Sequence, residues 1–233
     1  MALTVYLLAY TPSPDRTVAA AARLCYSGVS ARDLLETETA EKMKGLIAHL
    51  RKSGHFSPFE HASFTFALDG LSRVASHQLV RHRIASYSQQ SQRYVSMDAP
   101  DAVMPPSIAE RPELAARFTQ MVRQAHGLYR ELTEAGIPRE DARFILPHGW
   151  STRLVMTMNA RELHHFFAVR LCRRAQWEIR DLARRMLGAV RSAAPLLFET
   201  AGPSCLTAGK CGEMNPCGSP YGSMEELLEE ESR

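Results

Sequence analysis

The chain lacks the features of a membrane protein, of an exported protein and of a glycine-loop nucleotide binder. No apolar run approaches the ~20 residues that a membrane-spanning helix needs, so we expect no membrane partner. The first ten residues show neither a basic stretch nor a small-residue cleavage site, which predicts a cytoplasmic protein without a signal peptide. A Rossmann fingerprint, a P-loop and an internal repeat are all absent. Any nucleotide bound here is therefore expected to be held without a glycine cradle.

Cysteine is scarce, and an odd count of five argues against a disulfide framework in a chain without an export signal. Cys205, Cys211 and Cys217 recur every six residues in a stretch rich in glycine and proline. Three thiolates could ligate a metal, but their spacing is longer than that of zinc knuckles and no nearby histidine offers a fourth ligand. We favour solvated thiols in a loop and predict no metal site.

The remaining composition is that of an ordinary globular protein. Hydrophobic residues make up 45% of the 233 residues and charged residues 23%, which is enough apolar material for a sizeable core. The net charge of +3 is too small to indicate a nucleic-acid partner. We predict one domain over residues 1–200, followed by a C-terminal tail over residues 201–233.

Hydrophobic periodicity predicts an α+β fold, with a small, mostly antiparallel sheet flanked by several long helices. Strands are predicted at residues 2–10, 63–68 and 152–158. Helices are predicted at residues 14–24, 37–52, 74–83, 113–135, 139–147, 159–172 and 175–194. A loop at 55–61, an irregular stretch at 202–222 and a short acidic segment at 224–231 complete the prediction.

The most informative segment is residues 81–94, which read RHRIASYSQQSQRY. It contains three arginines, one histidine, three serines and three glutamines, and no acid. Arginine forks bind phosphates through two parallel hydrogen bonds, so the composition predicts an anion site at a helix end and in the following loop. A solvated basic helix end is the alternative. It does not account for His82 between two arginines, whose like charge disfavours its protonated form.

A second site candidate lies on the predicted helix 159–172. Arg170 falls on the same face as Leu163, Phe166 and Phe167, although a guanidinium on an apolar face must find an anion or extend to solvent. Two interpretations are about equally supported by the residues alone. Either Arg170 points into a cleft towards an anionic ligand, or it pairs with a buried acid of a neighbouring helix. The start of the helix, Asn159 to Arg161, would also favour an anion through its exposed backbone donors.

Taken together, these blocks resemble the flavin-dependent thymidylate synthases, whose signature differs from residues 81–94 at one fixed position, where Ser88 replaces an asparagine. Two further departures are Gln89 at a commonly acidic position and His165 at a commonly amide-bearing one. The blocks follow the family order over roughly residues 20–180. They are Ala21–Arg23, His55–His61, Arg81–Tyr94, Ala142–Pro147, Asn159–Arg161 with Arg170, and Ala175–Ile179.

The resemblance implies an enzyme that makes dTMP from dUMP. It implies methylenetetrahydrofolate as the one-carbon donor, reduced FAD as the hydride source and NADPH as the reductant. It also implies a homotetramer whose active sites are shared between subunits, with no nucleic-acid partner.

Site residues follow from the resemblance by position. Arg170 is expected to be catalytic and to activate the pyrimidine ring, since a cation there stabilises developing negative charge. The expected FAD contacts are Ser57, Glu60, Arg81, His82, Arg83, Gln89, Asn159, Arg161 and His165. The expected dUMP contacts are Gln78, Arg81, Gln89, Gln90, Ser91, Gln92, Arg93, Arg143 and Arg170. Candidates for folate placement or proton handling are His55 and His82.

Two other functions are compatible with parts of the sequence. A conventional thymidylate synthase would need a nucleophilic cysteine, and none of the five lies in a matched block. A basic protein that binds single-stranded nucleic acid could use the arginines and Tyr94 to stack on bases. A flavoenzyme would be yellow when purified, whereas the nucleic-acid binder would carry excess absorbance near the nucleobase band.

Overall fold

The computed structural model describes residues 2–230, which form an α+β fold around a four-stranded antiparallel sheet. The strands are β1 (Thr4–Tyr10), β2 (Ser63–Ser72), β3 (Ala85–Gln89) and β4 (Ser151–Asn159). Their order across the sheet is β1-β2-β4-β3. The predicted fold class is confirmed.

The helices lie around this sheet, and no described helix is long and apolar enough to cross a membrane. They are α1 (Pro14–Leu24), α2 (Ala31–Thr37), α3 (Ala40–Lys52), α4 (Arg73–Leu79), α5 (Pro106–Ala109), α6 (Pro112–Glu134), α7 (Arg139–Ala142), α8 (Ala160–Arg170), α9 (Trp177–Ala193), α10 (Ser204–Thr207) and α11 (Met224–Glu229). Short 3-10 turns occupy Ser57–His61 and Arg143–Ile145.

The main core lies between one face of the sheet and helices α8 and α9. Strand β2 alternates as its sequence predicts, because Phe64, Phe66 and Leu68 are fully buried while the residues between them are partly exposed. Phe166 and Phe167 of α8 complete this core. Burial of such side chains contributes about 1.5–3 kcal/mol each, so the core fixes α8 firmly against the sheet.

The segment after α4 differs from the prediction. Helix 74–83 was expected to run into a loop, but α4 ends at Leu79 and residues 85–89 form β3, the edge strand paired with β4. Tyr87 closes the intervening turn, because its hydroxyl donates to the carbonyls of Leu79 (3.0 Å) and His82 (2.9 Å). The prediction missed this strand because it is short and mostly polar, and its alternation rests on only two apolar side chains, Ala85 and Tyr87.

Other boundaries move by a few residues. The predicted helix 37–52 begins at Ala40 behind the cap of Thr39, and the unpredicted α2 precedes it, capped by Ser30. Residues 139–147 form α7 and a 3-10 turn instead of one helix, and the predicted loop 55–61 contains another 3-10 turn. In the acidic segment, α11 spans Met224–Glu229, and Glu231 lies outside the described residues.

The C-terminal stretch packs onto the rest of the chain. Tyr221 and Leu227 are buried in the main core. The guanidinium carbon of Arg173 lies 4.2 Å from the ring centre of Tyr221, and Arg173 also pairs with Glu226 at 2.6 Å. These contacts attach the stretch to the turn that follows α8.

Candidate active site

Strand β4 and helix α8 meet at Asn159, which fixes the orientation of the helix start. The Asn159 Oδ1 atom accepts a hydrogen bond from the backbone N–H of Glu162 at 2.9 Å, as a helix N-cap does. The backbone N–H of Ala160 donates to the carbonyl of Ala62 at 2.8 Å. Asn159, an expected FAD contact, therefore already uses its side-chain oxygen within the fold.

A chain of hydrogen bonds joins α8 to the turn before β3. His82 is 6% exposed, and its Nδ1 atom lies 3.2 Å from Oε1 of Glu162. On the other side of the ring, Nε of Arg170 donates to Nε2 of His82 at 3.1 Å. A guanidinium can only donate, so Nε2 must carry the lone pair and Nδ1 the proton, which is donated to Glu162.

The electrostatics of this chain agree with its hydrogen bonds. Burial, followed by the charges of Arg170 and His165, lowers the pKa of His82 to about 4. The ring is therefore neutral at neutral pH. Burial also raises the pKa of Glu162 and lowers that of Arg170 from their ordinary values.

Among the described residues, no carboxylate holds Arg170. Besides its bond to His82, its Nη2 atom donates to the backbone carbonyl of Gln78 at 3.1 Å. Within residues 2–230, no acid forms an ion pair with Arg170. The pairing with a buried acid, left open by the sequence, is not what the structure shows. The half-buried guanidinium of Arg170 is therefore oriented by two neutral partners, the His82 ring and a backbone carbonyl.

Strand β3 carries the next part of the site. The side-chain amide of Gln89 donates to the hydroxyls of Ser76 (3.1 Å) and Thr152 (3.2 Å), so α4, β3 and β4 are tied together at this point. Arg81 and Arg83 are exposed on either side of buried His82. These two arginines place positive charge at the surface of the turn.

The end of the signature segment contacts α7. Nε of Arg93 pairs with Oε2 of Glu140 at 2.7 Å, and Nε of Arg143 donates to the Glu140 backbone carbonyl at 3.1 Å. Two arginines that the resemblance assigns to dUMP therefore both contact Glu140, Arg93 at its carboxylate and Arg143 at its backbone carbonyl. Arg73 is a third cation in this region, and the sequence analysis did not predict it. Burial and the charge of Arg143 lower its pKa.

A second group of expected residues borders a cavity of about 570 Å³ beside α8. Arg161 and His165 line it, and Arg161 pairs with Glu60 at 2.5 Å. Arg51 and Lys52, at the end of α3, also line the cavity and were missed. Their signal was weak, because a basic last turn is common on any helix.

His165 connects the two groups. It lines the cavity, and its ring centre is 5.5 Å from that of His82. The remaining expected residues are distributed around these groups. His55 and Ser57 are exposed near the 3-10 turn, Gln90 and Ser91 are partly exposed after β3, and Gln92 is buried.

His82 and two neighbouring side chains approach the spacing of a metal site. One ligand atom each of His82, Glu162 and His165 lies within 4.8 Å of the others. The bond from Arg170 to His82 places a guanidinium at the same ring, which disfavours a second cation. The hydrogen bond between His82 and Glu162 accounts for their proximity, so the cluster does not by itself indicate a metal site.

Comparison with known proteins finds relatives of one family. A sequence model of the family described as thymidylate synthase complementing protein matches residues 6–196. The flavin-dependent thymidylate synthase of Geobacter sulfurreducens is 49% identical over 213 residues, covering 91% of each chain. That of Clostridium tetani is 44% identical over 229 residues, covering 91% of this chain and 92% of the relative. These relatives are enzymes.

A solved structure has the same fold. The UMP/dUMP methylase PolB from Streptomyces cacaoi, bound with 5-Br dUMP, superposes with a TM-score of 0.78 at 29% identity, covering 85% of this chain and 94% of PolB. The chain belongs to the flavin-dependent thymidylate synthase family. This membership favours the enzyme over the nucleic-acid binder considered from the sequence.

Proposed function

We propose that the protein methylates dUMP to dTMP, with methylenetetrahydrofolate as the one-carbon donor, reduced FAD as the hydride source and NADPH as the reductant. The observation that carries the proposal is the guanidinium of Arg170, held by His82 and by the Gln78 carbonyl and without a carboxylate partner among residues 2–230. A cation kept unneutralised beside an arginine-rich turn is suited to an anionic substrate.

The chain has the residues that FAD would need. The cavity beside α8 is bordered by cations that could meet a diphosphate, among them Arg51, Lys52 and Arg161. The N-terminus of α8 adds the positive end of its helix dipole. A bound flavin supplies hydride transfer, and the protein supplies binding and orientation. The proposed FAD contacts are Ser57, Glu60, Arg81, His82, Arg83, Gln89, Asn159, Arg161 and His165.

The signature segment and its neighbours would hold the nucleotide. Arg93 contacts the Glu140 carboxylate and Arg143 the Glu140 backbone carbonyl, so both arginines lie next to one residue, and a bound phosphate would compete with that carboxylate for Arg93. The proposed dUMP contacts are Gln78, Arg81, Gln89, Gln90, Ser91, Gln92, Arg93, Arg143 and Arg170. In this proposal Arg170 is catalytic, because its fixed planar donors stabilise negative charge that develops on the pyrimidine ring.

The two histidine candidates are not equivalent. Both ring nitrogens of His82 already have hydrogen-bond partners, and its pKa of about 4 keeps it neutral. His55 is exposed beside the 3-10 turn. We therefore assign folate placement or proton handling to His55 and an orienting role to His82.

We further propose that the protein is a homotetramer whose active sites are shared between subunits. We also propose that it is cytoplasmic. Large apolar side chains are exposed next to the proposed substrate residues: Ile84 is 65% exposed, Tyr94 72% and Phe144 84%. Exposed apolar groups beside a polar site are typical of surfaces that a second subunit covers.

Purified protein reconstituted with FAD tests the function. It should show oxidised-flavin absorbance and, once reduced by NADPH, should form dTMP from dUMP and methylenetetrahydrofolate, as detected by mass spectrometry. UMP is assayed in parallel, because PolB is described as a UMP/dUMP methylase. Failure to bind FAD in either redox state would overturn the proposal, and nucleobase absorbance in place of flavin absorbance would favour the nucleic-acid alternative.

A further inference from the structure

Glu162 is a buried acid in the site for which neither the signature segment nor the motif at Asn159 gives a role. It is 6% exposed in the first turn of α8, and its backbone N–H is fixed by Asn159. Its Oε1 atom faces Nδ1 of His82 at 3.2 Å. A buried carboxylate is costly unless hydrogen-bonded, so its placement against one ring nitrogen needs an explanation.

The proton count on His82 supplies that explanation. A neutral imidazole has one N–H and one lone pair. Arg170 donates to Nε2, which therefore needs the lone pair, and Nδ1–H is left facing Glu162. If Nδ1–H had no acceptor, the ring could place its proton on Nε2 instead, and that proton would oppose the guanidinium of Arg170.

We propose that Glu162 is a positioning residue that fixes the Nδ1–H tautomer of His82 and thereby orients Arg170. The inference rests on the proposed role of Arg170 in the methylation of dUMP. It gives Glu162 an indirect function, since the acid acts through the ring and not on the substrate. The lowered pKa of His82 supports it, because a ring that stays neutral has a tautomer to select.

Two substitutions separate hydrogen bonding from charge. Glu162→Gln removes the charge but keeps a carbonyl oxygen that can accept Nδ1–H. Glu162→Leu removes the acceptor at similar size. We expect the Gln variant to retain the tautomer and most of kcat, and the Leu variant to lose the single tautomer and to lower kcat about ten- to a hundredfold with little change in the KM for dUMP.

The matched control is Glu38→Leu. Glu38 is also 6% exposed, but its hydrogen-bond partner is Arg23, whose guanidinium Nε donates at 2.9 Å. Losing this carboxylate tests the general cost of removing a buried acid. The control should lower thermal stability without changing the His82 ring or kcat per folded enzyme.

The primary readout is independent of turnover. Nitrogen-15 NMR of ligand-free protein, with His82 assigned by substitution, should show a protonated Nδ1 and an unprotonated Nε2 in the native chain. A protonated Nε2 there would overturn the inference even if the Leu variant failed to fold, and so would a folded Leu variant with unchanged tautomer and kcat. Absence of dTMP formation by the native enzyme would instead refute the proposed function and leave the NMR result standing.

Discussion

Replacement of Arg170 by lysine tests whether this cation acts on the substrate or supports the fold. The guanidinium makes two directed bonds, from Nε to His82 and from Nη2 to the carbonyl of Gln78. Lysine keeps the charge but presents a single nitrogen without the planar fork. A lysine at this position therefore cannot keep both bonds, to His82 and to the Gln78 carbonyl, and also contact a substrate atom in the same geometry.

The two roles predict different magnitudes. A donor aimed at charge that develops in the transition state is worth about 3 kcal/mol, or roughly two orders of magnitude in kcat. A partly buried hydrogen bond contributes about 0.5–1.5 kcal/mol to stability. We therefore expect Arg170→Lys to lower kcat about a hundredfold, to reduce stability by about 1–2 kcal/mol and to leave FAD affinity little changed.

The assay measures kcat, the FAD dissociation constant and Tm on one preparation. Arg184→Lys is the control, because Arg184 also makes one bond to a side chain, Asp181, and one to a backbone carbonyl, that of Leu228, but does so on α9. The Arg184→Lys variant should show a lower Tm with unchanged kcat and FAD dissociation constant. A folded Arg170→Lys enzyme with lowered Tm and near-normal kcat would remove Arg170 from the catalytic residues.

Three further outcomes are expected. Replacement of all five cysteines by serine should leave dTMP formation measurable, since no cysteine lies in a block that matches the family. A single Cys→Ser change that abolishes turnover while FAD and dUMP still bind would contradict the mechanism. Inactive Arg81→Ala and Arg143→Ala subunits should recover partial activity after exchange if sites are shared, and no recovery despite proven exchange would indicate sites within one chain. Stability should fall on acidification because His82 and His164 are neutral in the fold.

Much of the fold could be predicted because the core elements have clear periodicity. Strand β2 alternates, and α8 and α9 carry apolar faces, so their existence and approximate bounds followed from the sequence. Strand β3 could not be predicted, because it is an edge strand held by backbone pairing with β4 and by the Tyr87 hydroxyl. The polar residues of β3 belong to the signature segment of the candidate site, and they do not show the apolar pattern of a strand.

The site shows the same division. The residue types at His82 and Arg170 indicated an anion site, but their contact spans 88 positions in the chain and arises only when α8 packs beside the turn before β3. Glu162 had no distinguishing signal, since an acid in the first turn of a helix is common. Its proximity to His82 depends on tertiary packing, which places the first turn of α8 against the turn before β3.

The pH prediction has a definite sign. Burial is the largest cause that lowers the pKa of both His82 and His164 to about 4, below the ordinary 6.5. Between pH 6.5 and 4 the unfolded chain binds a proton at each ring that the folded chain does not, so the free energy of unfolding falls as pH falls through this window. Each histidine should cost about 2 kcal/mol between pH 7 and pH 5.

Urea unfolding at pH 7, 6 and 5, at one protein concentration, measures this slope. The Nε2 atom of His164 lies 2.9 Å from the carbonyl of Leu197 and donates to it in the neutral ring, so His164→Gln keeps a donor there while removing the titration. Burial raises the pKa of Asp15 and Glu178, which bind protons more readily when folded and so oppose the histidines at low pH. Because those acids are unchanged in the variant, the difference between the two slopes isolates His164. An equal slope in both proteins would show that His164 is not held neutral by its burial.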